Sequence, residues 1–173
     1  GVKKISIGSG IRYDIMQYRD PDIKADKSHR TYTEELISKH VGGRLKVAPE
    51  HTQDHVLDLM RKPPFSRFED FKKTFDRINR ECGLNQQLIP YFISSHPGCT
   101  EEDMAQLAII TKRLNFRLEQ VQDFTPTPMT LSTEIFYTGI NPYTMKPVYS
   151  ARTDREKQAQ RQFFFWYDPA RRN

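Results

Sequence analysis

The sequence predicts an α/β fold of parallel strands, arranged as part of a (β/α) barrel and followed by an irregular, then helical, C-terminal extension. Three observations carry this. Short apolar runs alternate with helical stretches through the first three quarters of the chain, an order that argues for parallel strands joined by right-handed crossovers. Helix starts are marked by capping boxes and helix ends by glycine or proline. Strands run out into polar turns, the place where parallel α/β sheets gather ligands. Four strand–helix units make half of an eight-stranded barrel, so the chain is expected to be a piece of a longer protein whose upstream half covers its open edge. A small doubly wound domain is the alternative.

The elements follow in order. Val2, Ile5 and Ile7, ending at Gly8, predict a first strand. Thr31 and Glu34 form a capping box for a helix bearing Leu36, Ile37, His40 and Val41, stopped by Gly42-Gly43. Leu45 to Ala48 is a second strand. Thr52 opens a helix that Pro63-Pro64 ends. Ser66 and Glu69 then cap an amphipathic helix with Phe68, Phe71, Phe75, Ile78 and Cys82 at steps of three and four, closed by Gly83. Leu88 to Ser94 is a continuous apolar run, as in a strand buried on both faces. Thr100 and Asp103 cap a further helix, and Leu118 to Phe124 is a fourth strand. This gives a barrel half over residues 1–128 and an extension over 129–173, in which Pro142 and Pro147 break the chain before Thr153 and Glu156 cap a last helix.

Composition narrows the class. At 173 residues the chain is near one domain, and it holds no apolar run long enough to span a membrane. No secretory signal opens it, and two cysteines, Cys82 and Cys99, are too few for a disulfide framework or a four-thiolate site. A cytoplasmic, globular protein without a membrane partner is expected. The 27 Lys+Arg against 22 Asp+Glu leave a net charge of +5. Part of the excess lies in Arg152, Arg155, Lys157, Arg161, Arg171 and Arg172, interleaved with Asp154, Glu156 and Asp168. Such a stretch suits RNA or another polyanion, or simply a solvated helix face. The aromatic run Phe163–Tyr167 either docks on a core or offers a stacking platform for bases.

The strand ends hold the candidate chemistry. After the first strand, Gly8-Ser9-Gly10-Ile11-Arg12 combines close backbone approach, a hydroxyl and a guanidinium fork suited to carboxylate or phosphate. After the second, Glu50 and His51 sit at a strand-to-helix turn, where either can serve as acid, base or hydrogen-bond acceptor. After the third, Ser94-Ser95-His96-Pro97-Gly98-Cys99-Thr100 places His96 toward a ligand and Cys99 at a helix start, where its thiol pKa is expected to be lowered. Metal ligation by His51, His96 and Cys99 is conceivable, although spacing does not demand it. After the fourth, Thr125-Pro126-Thr127-Pro128 is either a pocket rim or a plain connector.

Taken together, Lys46-Val47-Ala48-Pro49-Glu50-His51-Thr52, the helix Val56–Met60 with Arg61-Lys62-Pro63, Pro90–Thr100 and Asp123–Thr130 resemble the later half of a radical S-adenosylmethionine (SAM) enzyme of the YgiQ-type family. The resemblance covers nearly the whole chain. It implies a partial barrel with SAM and a [4Fe–4S] cluster at the carboxyl ends of the strands. There a 5′-deoxyadenosyl radical would abstract hydrogen from a substrate that the sequence does not name. It implies cofactor contacts at Ser9, Gly10, Arg12, Glu50, His51, Ser94 and His96. The three cysteines at C-x-x-x-C-x-x-C spacing that such a cluster needs are absent here. They are expected upstream of Gly1, leaving this chain alone inactive and without bound cofactor. The competing expectation is a basic α/β module that binds RNA or another polyanion without catalysis.

Overall fold

The computed structural model describes residues 1–3, 5–19 and 21–168. They form α1 (Tyr13–Met16), α2 (Ile23–His40), β1 (Arg44–Glu50), α3 (Asp54–Leu59), α4 (Phe65–Glu81), β2 (Gln87–Ser94), α5 (Glu101–Arg113), β3 (Gln120–Asp123), α6 (Leu131–Thr138), α7 (Asp154–Arg161) and a 3-10 turn at Gln162–Phe165. The strands make one open parallel sheet in the order β1-β2-β3. The α/β class and the partial-barrel character are thus as expected. Two compact units share the chain: Gly1–Ala48 with Ser66–Pro90, and Pro49–Phe65 with Tyr91 onward.

In the first unit the predicted phenylalanine stripe is the core. Phe68, Phe71, Phe75 and Ile78 on α4 are each at most 2% exposed, as is Val47 of β1. Tyr13 of α1 meets Phe68 edge-on at 5.8 Å and Phe71 at 5.6 Å between ring centroids, contacts that add to area burial. The turn that follows α4 is tied down by amides. Asn79 Oδ1 accepts from the Gln86 N–H at 3.0 Å, and Gln86 Nε2 donates to the Ile37 carbonyl at 2.9 Å.

Two predicted features before β1 differ. The described residues of Val2 to Gly8 form no strand. The Ile7 N–H donates to the His40 carbonyl, the Ile5 carbonyl accepts from His40 Nδ1 at 3.0 Å, and the one parallel bridge nearby joins Ile11 to Val47. The reason is periodicity: the three-residue step from Val2 to Ile5 puts them on opposite faces, and they are 82% and 64% exposed. The second difference is the start of α2, which lies at Ile23. Asp22 caps it by accepting from the Lys24 N–H at 2.9 Å, while Thr31 sits inside the helix and donates to the Lys27 carbonyl. An aspartate cap is as good as a threonine one, and nothing between Asp22 and Thr31 breaks a helix.

In the second unit β2 and β3 pair in parallel, with Tyr91 opposite Gln120 and Ser94 opposite Asp123. Both predicted capping boxes form, Thr100 with Asp103 on α5 and Thr153 with Glu156 on α7. Hydrogen bonds from the Thr153 side chain and backbone pull the Glu156 carboxyl down to a pKa of about 2. The start of α4 falls at Phe65, with Ser66 inside its first turn, and the Phe65 N–H donates to Asp54 Oδ1 at 2.9 Å. Phe164 is fully buried where α5, α7 and the 3-10 turn pack together. The Tyr167 hydroxyl donates to the Leu118 carbonyl, and Lys112 lies over the Trp166 ring. The aromatic run therefore docks on its own unit. Arg171 and Arg172 lie outside the described residues. Among the described residues no helix is long and apolar enough to cross a membrane.

Replacing Phe71 by Ala removes a ring that is 0% exposed and should cost the protein about 3–5 kcal/mol in urea unfolding. The same change at Ile109, which is 59% exposed, should cost less than about 1 kcal/mol. Equal losses at both sites would contradict this assignment of the core.

Candidate cofactor-binding site

The second unit gathers the carboxyl ends of all three strands around one cavity of about 290 Å³. Glu50 ends β1, Ile93 comes from the end of β2, and Gln122 and Asp123 end β3. Met60 and Lys62 follow α3, His96 follows β2, and Phe124 to Ser132 close the rim.

Glu50 is held in an unusual backbone. Its φ is 68°, and the His51 N–H bonds back to the Pro49 carbonyl at 2.9 Å, closing a three-residue turn on a non-glycine residue. Such strain persists only where the surroundings enforce it, and it concentrates at functional sites. The turn aims the carboxylate into the cavity wall, where Oε1 meets Lys62 Nζ at 3.1 Å. The other oxygen, Oε2, is buried with no hydrogen-bond partner. Burial raises the Glu50 pKa, and the nearby Lys62 partly opposes that rise. Lys62 is kept in place by its neighbour, because Arg61 hydrogen-bonds the Tyr143 hydroxyl and lies 4.9 Å from the centre of that ring.

His96 is buried and fully engaged. Its Nδ1 lies 2.8 Å from the Pro97 carbonyl, which accepts only, so Nδ1 carries the proton and Nε2 accepts from the Ser132 hydroxyl at 2.8 Å. Phe124 meets the ring edge-on at 5.0 Å. Desolvation lowers the His96 pKa to about 4, against the opposing bond to Pro97. Ser94 donates to Asp123 Oδ1 at 2.5 Å, and Arg161 of α7 pairs with Asp123 Oδ2 at 3.1 Å.

His51 does not face the cavity lining. It is 0% exposed, accepts from the Gln53 N–H through Nδ1, and so points a protonated Nε2 at Cys99 Sγ, 3.4 Å away. Desolvation brings its pKa down to about 3. The same burial pushes the Cys99 thiol up to about 12. This corrects the expectation of an activated thiol: the position at a helix start is outweighed by loss of solvent, and the pair is a neutral, structural contact. The three-ligand metal reading falls as well. Both His96 nitrogens are committed elsewhere, and no group of three or more His, Cys, Asp or Glu among the described residues is placed to hold an ion.

Ser9, Gly10 and Arg12 belong to the first unit. There the Arg12 fork is taken by Asp14, through Nε at 2.9 Å and Nη2 at 2.6 Å, and Ser9 is exposed. Of the expected contacts, Glu50 and His96 line one cavity, Ser94 reaches it through Asp123, and His51 supports it from behind. Two residues that sequence reasoning passed over complete it. Lys62 neutralises Glu50, and Gln160 of α7, 0% exposed, accepts from the Ser95 N–H and donates to the Cys99 carbonyl. A glutamine in a strongly polar helix carries no signal of such a role.

The class these features define is an α/β protein with a polar cavity at the strand tips of an open parallel sheet. Comparison with known proteins then supplies the relatives. The chain is 67% identical to a UPF0313 protein of Bacteroides thetaiotaomicron over 99% of its own length and 28% of the relative's. It is 43% identical to the UPF0313 protein YgiQ of Escherichia coli over 98% of the chain and 22% of the relative. It thus spans about a quarter of the length of the curated relatives it matches, and over that stretch it is similar to UPF0313, YgiQ-type proteins. Residues 119–172 match a family described as Domain of unknown function (DUF3362).

The two buried imidazoles make stability fall with acid. Their folded pKa values, about 3 for His51 and about 4 for His96, lie below the ordinary 6.5. Between those limits the unfolded chain binds more protons, so stability is full above about pH 6.5 and is lost as pH falls, by up to about 1.4 kcal/mol per unit for each ring. Urea unfolding at pH 7 and 4.5 should show this loss, and His51→Gln should reduce the slope. An unchanged slope in that variant would refute the assignment. Iodoacetamide at pH 8 should label exposed Cys82 and spare Cys99.

Proposed function

We propose that the whole protein is a radical SAM enzyme and that this segment supplies the wall holding part of SAM at the carboxyl ends of β1, β2 and β3. The observation that carries the reading is the buried, unpartnered Glu50 Oε2 beside Lys62 in the strand-tip cavity. A zwitterionic cofactor with ribose hydroxyls fits those donors and acceptors. The carboxylate oxygen can accept from a hydroxyl or an ammonium, and Lys62 can meet a carboxylate. Ile93, Met60 and Phe124 offer apolar surface. At about 290 Å³ the cavity is at the small end of ligand pockets, about 300–1,000 Å³, and takes only a portion of such a molecule.

SAM would supply a sulfonium whose reductive cleavage yields the 5′-deoxyadenosyl radical. The chain's own residues bind and exclude. Glu50 and Lys62 present one charge of each sign. His96, locked by Pro97 and Ser132, stays neutral and holds the rim through the Ser132 hydroxyl. The residues here do not fit a [4Fe–4S] cluster: Cys82 is exposed in the first unit and Cys99 is buried against His51 in the second. No step through the cluster is assigned to this segment.

Full-length protein, purified without oxygen and with its cluster reconstituted, should form 5′-deoxyadenosine from SAM. Glu50→Gln should weaken SAM binding about tenfold or more, the scale of one charge-assisted hydrogen bond. Absence of 5′-deoxyadenosine from a fully loaded protein would overturn the enzyme reading, and unchanged SAM affinity in the variant would overturn the role of Glu50.

A further inference from the structure

The first unit has a cavity of its own. The stretch after α1, the middle of α2 and one face of α4 enclose about 690 Å³, well inside the range of ligand pockets, about 300–1,000 Å³. Its charge is lopsided. Arg19 and Arg30 come from one wall, Arg67, Lys73 and Arg77 from the other, with Glu34 and Asp70 as the lining carboxylates among the described residues. On α4 the steps from Arg67 to Asp70, Thr74 and Arg77 are three, four and three, so they share one helix face.

Cations on facing walls of a concave space repel one another, and an anion between them relieves that repulsion. Arg30 gives Nε and Nη2 to Asp26 at 2.9 and 2.7 Å, so an anion there shares Arg30 with that carboxylate, and the other cations leave room for one. Arg67 has no ion-pair or hydrogen-bond partner among the described residues. Arg19 only reaches Asp26 at 3.7 Å. Arg77 is divided between Glu81 and Glu34, and Lys73 rests on Asp70, with both partners of each pair largely exposed. Exposed pairs of this kind are weak and exchange readily for a stronger acceptor. Guanidinium groups match phosphate oxygens in a two-point fork, and three of the wall cations besides Arg67 are arginines. Gln17 adds a polar group, since its side-chain oxygen is buried in the lining without a partner, and the amide turned over would present an N–H donor. The one aromatic ring in the lining, Phe71, is 0% exposed, so the cavity offers charge and not a stacking face.

We infer that this cavity binds the phosphate groups of a ligand carrying at least two of them, held between Arg30 on α2 and Arg67 on α4. The same phosphate chemistry can come from a free polyphosphate or from a single-stranded nucleic acid. The inference is independent of the cofactor reading, because the cavity lies in the first unit and the Glu50 site in the second.

Two probes test it on the full-length protein: inorganic tripolyphosphate by calorimetry, and a short fluorescent oligouridylate by polarisation. Binding at low salt should weaken as salt rises, with a log–log slope of about −0.7 per neutralised phosphate for the strand. The Arg30→Ala/Arg67→Ala double variant should lose about tenfold or more in affinity, Arg67→Lys, which keeps the charge but not the fork, should lose less than the double variant, and 5′-deoxyadenosine formation should not change. Tighter binding of the strand identifies a nucleic-acid ligand, and tighter binding of tripolyphosphate identifies a free polyphosphate. No binding of either probe at low salt, or equal binding by the double variant, overturns the inference whatever the outcome for SAM.

Discussion

The strand tips of the second unit hang on the turn that follows β2. The chain leaves Ser94, passes through left-handed backbone at Ser95 (φ 60°) and again at Gly98 (φ 85°), and enters α5 at Thr100. A Cβ on Gly98 would stand 2.4 Å from Leu59 Cδ1, so a side chain there would have to displace that of Leu59 and also adopt a left-handed backbone that favours glycine. A turn this tight leaves backbone groups buried, and one amide satisfies two of them. Gln160 accepts from the Ser95 N–H at 2.8 Å and donates to the Cys99 carbonyl at 2.7 Å. Leaving either group unpaired would cost about 1–3 kcal/mol. The closed turn then fixes where the His96 ring stands and where α5 begins.

The electrostatics of the cavity follow from the same burial. Desolvation is the largest influence on Glu50, His51, His96 and Cys99 alike, raising the acids and lowering the bases. Near neutral pH both imidazoles are uncharged, with their nitrogens already bonded, and the thiol keeps its proton. Such groups orient and exclude water; they do not trade protons. The polar capacity left over is the free oxygen of Glu50 and the ammonium of Lys62. A cavity with its titratable rings locked and one ion pair incompletely used offers charge and hydrogen bonds rather than proton transfer.

Most of the fold was legible because its signals are local. The Thr100–Asp103 and Thr153–Glu156 boxes, the stripe from Phe68 to Ile78 and the apolar run ending at Ser94 each act through neighbours a few residues apart, and each formed as read. The failures are also instructive. Val2 and Ile5 supplied apolar residues without period two, and Thr31 had the right spacing but lay downstream of an equally good cap at Asp22. At the site, Glu50 and His96 could be read because strand ends are where ligands gather. The split between Glu50 and His51 follows from alternation, since neighbours do not share one face of a strand, but the burial of His51 against Cys99 could not be read. Nor could Cys99, whose helix-start position predicts a reactive thiol until burial behind His51 is known.

The extension is bound into this arrangement rather than appended to it. Asp123 at the end of β3 accepts from Ser94 on one oxygen and pairs with Arg161 of α7 on the other. Gln160, the preceding residue, closes the turn after β2, while Tyr143 braces Arg61 next to Lys62. Ser132 at the start of α6 holds His96. Of these four residues beyond Met129, Ser132 and Arg161 bond side chains that line the cavity, while Gln160 and Tyr143 hold groups next to them. The matched family spanning residues 119–172 covers all four. Its helices place hydrogen-bonding groups around the strand ends, beside a carboxylate that stays buried without a full set of partners.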